Sequence, residues 1–190
     1  MDQTLHEDKT FDKINYSGQN IRNREFIKCR FTGCDFSDSN FSNNRFADCT
    51  FEGCNLSLLK LAGTSLAGVI FRDCKILGVN FNECKDFLFS VSFQGGNLNF
   101  ASFAGKRMPK TSFCNISMQS VDFSGTNLQG AYFENTDLEG ATFSRTNLKE
   151  ANLLTAFEFN IDPDANLIAK ARFSRNNLAG LLVKYNISIE

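Results

Sequence analysis

Apolar residues recur at every fifth position over most of the chain. Phe26, Phe31, Phe36, Phe41, Phe46 and Phe51 stand five apart. The same register from Phe11 to Phe81 covers 15 positions, each of them Phe, Tyr16, Ile or Leu. Near Asp86–Phe87 the register slips by two residues. It resumes at Leu88 and runs through Phe93, Leu98, Phe103, Met108, Phe113, Met118, Phe123, Leu128, Phe133, Leu138, Phe143 and Leu148 to Leu153, adding 14 positions, all apolar. A period of five matches neither a helix nor a flat strand. It requires a backbone that turns after every tile and returns over itself, with the apolar centre inside.

A second position carries the same period. Two residues before the centre the side chain is small: Cys29, Cys34, Cys49, Cys54 and Cys74 early, then Ala101, Thr126, Ala131, Thr136, Ala141, Thr146 and Ala151. The residue just before the centre is often Asn or Asp, as at Asp35, Asn40, Asp122, Asn127, Asp137 and Asn147. Gly often closes the tile, as a turn residue. The clearest run is VDFSG-TNLQG-AYFEN-TDLEG-ATFSR-TNLKE-ANLLT, residues 121–155. Each tile therefore points two residues inward and three outward. This tile, small–Asn/Asp–Leu/Phe–polar–Gly, resembles that of the pentapeptide-repeat family over residues 11–155. The resemblance implies an all-β solenoid, a right-handed quadrilateral parallel β-helix with four tiles per 20-residue coil. The 29 tiles then form a little over seven coils, about 35 Å of rod at ~4.8 Å per coil. Such coils bury their inner faces only against neighbours, so the ends need caps. The expected organisation is an N-terminal cap over 1–10, the repeat over 11–155, and a C-terminal cap and dimerisation segment over 156–190.

Composition narrows the chemistry. In 190 residues there are 21 Phe, one His, no Trp and 7 Cys, with 20 Lys+Arg against 21 Asp+Glu. A near-zero balance argues against direct nucleic-acid binding. No apolar run reaches the ~18 residues of a membrane span. The polar start, Met1–Thr10, is unlike a secretory signal. Seven cysteines without one read as reduced thiols, so a cytoplasmic protein without membrane contact is expected.

Candidate chemistry is sparse. On the four-tile coil, Cys34, Cys54 and Cys74 share one column and Cys29 and Cys49 another. This is either a thiol or metal ladder, or Cys used as a small apolar filler. The filler reading is preferred, because column thiols point one way and do not converge on a tetrahedron. Cys84 takes the same tile position, and Cys114 is the one thiol placed outside. His6 lies in the polar N-terminal segment. No nucleophile–base pair and no phosphate loop is present, so no catalytic residue, metal or cofactor is expected and the protein reads as a non-enzyme.

Charge is unevenly placed. From Asp122 to Asp164 there are eight acids against Arg145 and Lys149, a net of −6, whereas residues 85–121 carry Lys85, Lys106, Arg107 and Lys110 against Asp86. A stiff rod with an acidic wall offers charges at steps comparable to phosphate spacing. The partner-binding candidates are Asp122, Glu134, Asp137, Glu139 and Glu150. Two places interrupt the tiling. At Lys85–Phe89 two extra residues must bulge, leaving Phe87 or Phe89 exposed or folded back. At Lys106–Lys110 the register holds, with three cations and Pro109 placed on the surface.

After Leu153 the sequence changes character. Asp162-Pro163-Asp164 reads as a turn and Ser174 as a helix N-cap. Leu178, Leu181, Leu182 and Tyr185 follow a helical stripe, and Asn186–Ile189 alternates like a strand. Leu178, Leu181, Leu182, Tyr185 and Ile187 are the expected interface of a C-terminal homodimer.

Two subfamilies sharpen the resemblance. GVIFRDCKILGVNF (68–81) and NLNFASFAGK (97–106) are similar to segments of Qnr quinolone-resistance proteins. The ending, Asn160-Ile161-Asp162-Pro163 with a Leu-rich helix, is similar to that of the microcin B17 immunity protein. Both resemblances imply a dimeric, DNA-mimicking binder that protects DNA gyrase or topoisomerase IV, type II topoisomerases, from quinolones or peptide toxins. Qnr proteins carry longer loops than the two-residue break found here. The alternative is a generic protein-interaction scaffold with another partner. A third reading is redox response through Cys114.

Overall fold

The computed structural model describes residues 4–188. The tile shapes the backbone directly. Its centre and its small residue face inward, the residues on either side of the centre face outward, and the fifth residue turns the corner with positive φ. Gly33, Gly53, Gly63 and Gly125 hold such corners, and so do Asp38, Asn43 and Asp73. Gly, Asn and Asp tolerate this left-handed conformation best, which explains the polar and glycine tile ends.

Four tiles close one coil. In chain order the strands are β1 (Leu5–Glu7), β2 (Thr10–Asp12), β3 (Glu25–Ile27), β4 (Arg30–Thr32), β5 (Arg45–Ala47), β6 (Thr50–Glu52), β7 (Ser65–Ala67) and β8 (Val69–Arg72). They continue as β9 (Val91–Gln94), β10 (Ser112–Cys114), β11 (Tyr132–Glu134), β12 (Asn152–Leu153) and β13 (Arg172–Phe173). All pair in parallel, and most partners stand 20 residues apart, as in Phe26↔Phe46 and Phe113↔Phe133. Face 1 begins as the four-stranded sheet β1-β3-β5-β7, and face 2 is a nine-stranded sheet from β2 to β13. Faces 3 and 4 are ladders of single bridges, such as Ser117↔Asp137 and Ser102↔Asp122. The result is a parallel β-solenoid of about eight coils.

The core is a stack of rings. On face 2, Phe31, Phe51, Phe71, Phe93, Phe113 and Phe133 lie near-parallel with centroids 4.5–5.6 Å apart. On face 4, Phe81, Phe103, Phe123 and Phe143 stack likewise. The two stacks meet edge to face, as Phe103 does Phe113 at 6.2 Å, the arrangement ring quadrupoles favour. The void beneath Phe41, Phe51 and Phe81 is about 10 Å³, too small to hold more than a single water.

The small inner position does more than fill space. The Cys29, Cys34, Cys49, Cys54 and Cys74 thiols each donate to a carbonyl 23 residues back, at 3.3–3.5 Å. Thr64, Thr126, Thr136 and Thr146 hydroxyls do the same. The small donor adds a second hydrogen bond to an inward carbonyl: Phe41 O, Phe103 O and Phe123 O also accept from Asn44 N, Lys106 N and Thr126 N. Burial pushes the Cys49 and Cys84 thiols up to about 12. Cys74 is raised by its hydrogen bond with Cys54 and by burial. The columns hold as expected, and the cysteines act as buried donors rather than as inert filler.

The coil extends beyond residues 11–155 at both ends. β1 falls in the segment assigned to an N-terminal cap, and His6 takes a tile centre there, stacked on Phe26 at 4.9 Å. Burial, Lys9 and Arg24 together lower its pKa. At the other end β13 pairs with β12, and Asn166 takes the inner place of Thr146, donating to Phe143 O.

The C-terminal cap is 3₁₀ rather than α-helical, over Arg175–Leu181 and Val183–Tyr185. Ser174 caps it, accepting from Asn176 N at 3.3 Å. The helix lies close on the last coil: Asn177 Nδ2 donates to Ala156 O, and Ile161 N to Gly180 O. A β-carbon on Gly180 would strike the Phe159 ring at 2.7 Å. That close approach requires glycine at this position, and the helix differs in type from the α-helix read from leucine spacing. No strand forms over residues 186–188, and Ile189 lies outside the described residues.

Candidate interaction surfaces

The repeat sends the acidic candidates in different directions. Asp122 flanks Phe123 on face 4. Glu134 ends β11 on face 2. Asp137 and Glu139 flank Leu138 on face 3. Glu150 sits on the corner after Leu148, with φ of 60°. The five acids therefore ring the C-terminal third of the rod instead of lining one wall. Residues share a face only when they differ by a whole coil, and these mostly differ by less. Only Asp137 and Glu139 are neighbours, and Gln119 Nε2 donates to both, at 2.8 and 3.0 Å. Asp122 Oδ1 accepts from Ser124 N at 2.9 Å, and Glu134 Oε2 lies 3.6 Å from Cys114 Sγ. Cys114 is half-buried, 3.2 Å from Ser112 Oγ.

Two further acids hold the cap. Lys184 Nζ donates to Asp162 Oδ1 at 2.6 Å and also to Asp164. The Lys184 ammonium holds the Asp162 carboxyl below the usual carboxylate range, and the two carboxylates raise Lys184. Part of the −6 segment is thus neutralised within the chain.

The C-terminal residues divide. Leu181 packs on the core and Leu182 is half-buried. Leu178, Val183, Tyr185 and Ile187 are exposed, at 42, 53, 55 and 56%. Phe157 and Leu167 are also exposed, on faces 3 and 1 of the last coils.

The register slip places its residues differently from the sequence reading. Leu88, expected to be the resumed inner centre, is 65% exposed with φ of 58°. Phe89 turns into the core in its place, and Phe87 is 78% exposed. Across the insertion the pairing offset grows to 22, as in Phe71↔Phe93. Lys106, expected on the surface, is 3% exposed. It occupies the inner column of Thr126 and Thr146, and its Nζ donates to Cys84 O at 2.5 Å and to Asp86 Oδ1 at 2.7 Å. The long side chain reaches the insertion, where a threonine would stop short. Column membership at 20-residue steps was the available signal for Lys106, and its charge masked it.

Among the described residues no three His, Cys, Asp or Glu side chains gather as a metal site. Among the described residues no helix is long and apolar enough to cross a membrane.

Comparison with known proteins matches this geometry. A family profile described as "Pentapeptide repeat region" matches residues 24–103, and "Pentapeptide repeats (8 copies)" matches residues 116–153. The chain belongs to the pentapeptide-repeat family. Among solved structures of the family, full-length QnrB1, a plasmid-mediated fluoroquinolone resistance protein, is 21% identical. It covers 96% of this chain and 100% of its own, with a TM-score of 0.58. Two trypsin-treated variants of QnrB1, each 19% identical, give TM-scores of 0.66 and 0.61, covering 98 and 100% of this chain and 96 and 95% of their own. At these identities the likeness establishes the shared solenoid fold. A search of curated proteins finds no match.

Proposed function

We propose that the protein is a non-enzymatic binding rod whose partner is a type II topoisomerase, DNA gyrase or topoisomerase IV. In this reading it protects the topoisomerase from quinolone-type drugs or peptide toxins. The observation that carries the reading is the end-to-end match of the rod to QnrB1, a fluoroquinolone resistance protein. The near-void-free core supports it from the other side: what the chain offers a partner is its surface. Asp122, Glu134, Asp137, Glu139 and Glu150 form an electronegative collar for that contact. Two rods join through the apolar residues of the C-terminal segment, Leu178, Leu181, Leu182, Tyr185 and Ile187, of which Leu178, Tyr185 and Ile187 are exposed.

Both parts have direct tests. Sedimentation equilibrium of the wild type gives twice the chain mass, and the variant Leu178→Asp/Tyr185→Asp sediments at the chain mass. A wild type at the chain mass at tens of micromolar excludes the dimer. For the collar, Asp137→Lys/Glu139→Lys weakens binding to purified topoisomerase at least about tenfold at low salt, and the difference shrinks as salt screens it. Equal affinity of variant and wild type at both salts rejects the acids as the contact. One observation favours the second reading, a scaffold for another protein: the acids encircle the rod, whereas a duplex mimic calls for them in a line.

A further inference from the structure

A basic face runs through the segment whose net charge is acidic. On face 1 the outward column of the last four coils is Arg107, Asn127, Asn147 and Leu167. Lys149 lies on the same face, just after the buried centre Leu148. Corner residues border the face: Gly105, Gly125 and Arg145 along one edge, Lys110, Gly130, Glu150 and Lys170 along the other, all with positive φ. Arg107, Lys110, Arg145, Lys149 and Lys170 are exposed, and none forms an ion pair among the described residues. Glu150 is the one acid among these positions.

The surroundings confine the charge to this strip. At the insertion just below it, Glu83 and Asp86 stand against Lys85 and Lys106, and the charges cancel. Asp162 and Asp164, on the last coil, are engaged by Lys184. Face 4 carries Asp122, and face 2 carries Glu134 and Arg172. Five cations with one acid therefore occupy a strip three residues wide, roughly 10 Å, and four coils long, about 15 Å. A positive potential arises there that the total charge of the segment conceals. Glycines at 105, 125 and 130 keep the edges low, so that another chain can come close to the backbone. Along the floor Asn147 Nδ2 donates to Asn127 Oδ1 at 3.1 Å, which leaves the Asn127 amide N–H groups for an incoming carbonyl.

We infer that face 1 of the last four coils binds a carboxylate-rich, extended segment of a protein partner, laid along the rod. The inference rests on the reading of the protein as a binding rod, and not on the identity of the partner. Charge complementarity selects an anion, and the width of the strip selects its form. One extended chain fits between the two corners. A nucleic-acid duplex overhangs the strip and brings its phosphates within the ~8 Å screening length of Asp122 and Glu134.

The test is fluorescence anisotropy of the full chain with two labelled probes, an oligoglutamate peptide and a DNA duplex of similar net charge, at low and high salt. Three proteins are compared: wild type, Arg107→Glu/Lys149→Glu, and Lys13→Glu/Lys75→Glu. The last makes the same change of charge elsewhere, on a corner of face 2 and on face 3. All four positions are exposed, and circular dichroism verifies the fold. Wild type binds the peptide at low salt and loses it as salt rises, and Arg107→Glu/Lys149→Glu lowers the affinity at least about tenfold, against less than about twofold for Lys13→Glu/Lys75→Glu. Wild type that leaves the peptide unbound at low salt overturns the inference. Undiminished binding by Arg107→Glu/Lys149→Glu overturns it too, and equal losses in the two variants do so by showing a bulk charge effect. Tighter binding of the duplex than of the peptide assigns the face to nucleic acid and overturns it as well. None of these outcomes bears on the topoisomerase reading, which is decided by the activity of the topoisomerase itself.

Discussion

Replacing Phe123 by alanine lowers stability by about 3–5 kcal/mol. Phe123 is fully buried and sits between Phe103 and Phe143, at centroid distances of 5.5 and 5.2 Å. Its edges meet Phe113 and Phe133 at 5.9 and 6.1 Å. Removing it breaks the face 4 stack and takes edge contacts from the face 2 stack. The coils above and below are fixed by their own hydrogen bonds, so the space cannot close. The transfer cost and the cavity cost therefore add. For a chain of this size, 1 kcal/mol moves the melting temperature by roughly 2–4 °C. Calorimetry should record a fall of roughly 6–20 °C. A loss under about 1 kcal/mol would show that the tile centre does not point inward.

Gly96→Ala is the second large effect, and it acts through the backbone. Gly95 closes the tile after the insertion; Gly96 opens the next one, centred on Leu98, and holds φ of 87°. It occupies the inner small position, in the column of Cys34, Cys54 and Cys74. A β-carbon there would overlap the Cys74 carbonyl oxygen and come within 2.7 Å of the Cys74 amide nitrogen. Both partners are backbone, so neither can turn aside. Backbone strain of this kind costs about 1–3 kcal/mol, and overpacking adds a similar amount. The expected loss is roughly 2–5 kcal/mol in a denaturant titration. Gly105→Ala is the matched comparison. Gly105 also has positive φ, at 73°, but a β-carbon there meets nothing within 4 Å. It carries only the left-handed penalty of roughly 1–2 kcal/mol. Equal losses at the two sites would mean that the close approach to Cys74 is not tight.

The fold was legible because the period of five is a property of every tile, and each centre votes independently. Phe103, Phe113, Phe123 and Phe133 are all fully buried, as their register demands. What the pattern missed lies where a residue breaks the local rule and a coil neighbour 20 or 22 away restores it. Lys106 looks like surface on its own and like core in the column of Thr126 and Thr146. His6 and Phe173 look outside the repeat until they are set under Phe26 and Leu153. The insertion was visible as a count of two extra residues. That count does not say which apolar residue returns to the core, and the geometry of the turn selects Phe89 over Leu88.

The candidate surface was less legible for a related reason. A list of acids close in sequence, such as Asp122, Glu134 and Asp137, reads as a patch in a strand or helix. In a four-sided coil, tiles five residues apart face different directions. The net charge of a segment then says nothing about the charge of a face. The C-terminal segment shows the same limit. Leucine spacing at 178, 181 and 182 gives a helix, and does not distinguish the 3₁₀ form that docks Gly180 on Phe159 from an α-helix.

The central functional claim is the topoisomerase contact, and a gyrase supercoiling assay tests it most directly. Purified protein is added with and without ciprofloxacin at two salt concentrations. The account predicts salt-sensitive inhibition of supercoiling, or restoration of supercoiling in the presence of the drug, at micromolar protein. Unchanged activity of gyrase and of topoisomerase IV, with and without drug at both salts, would contradict it.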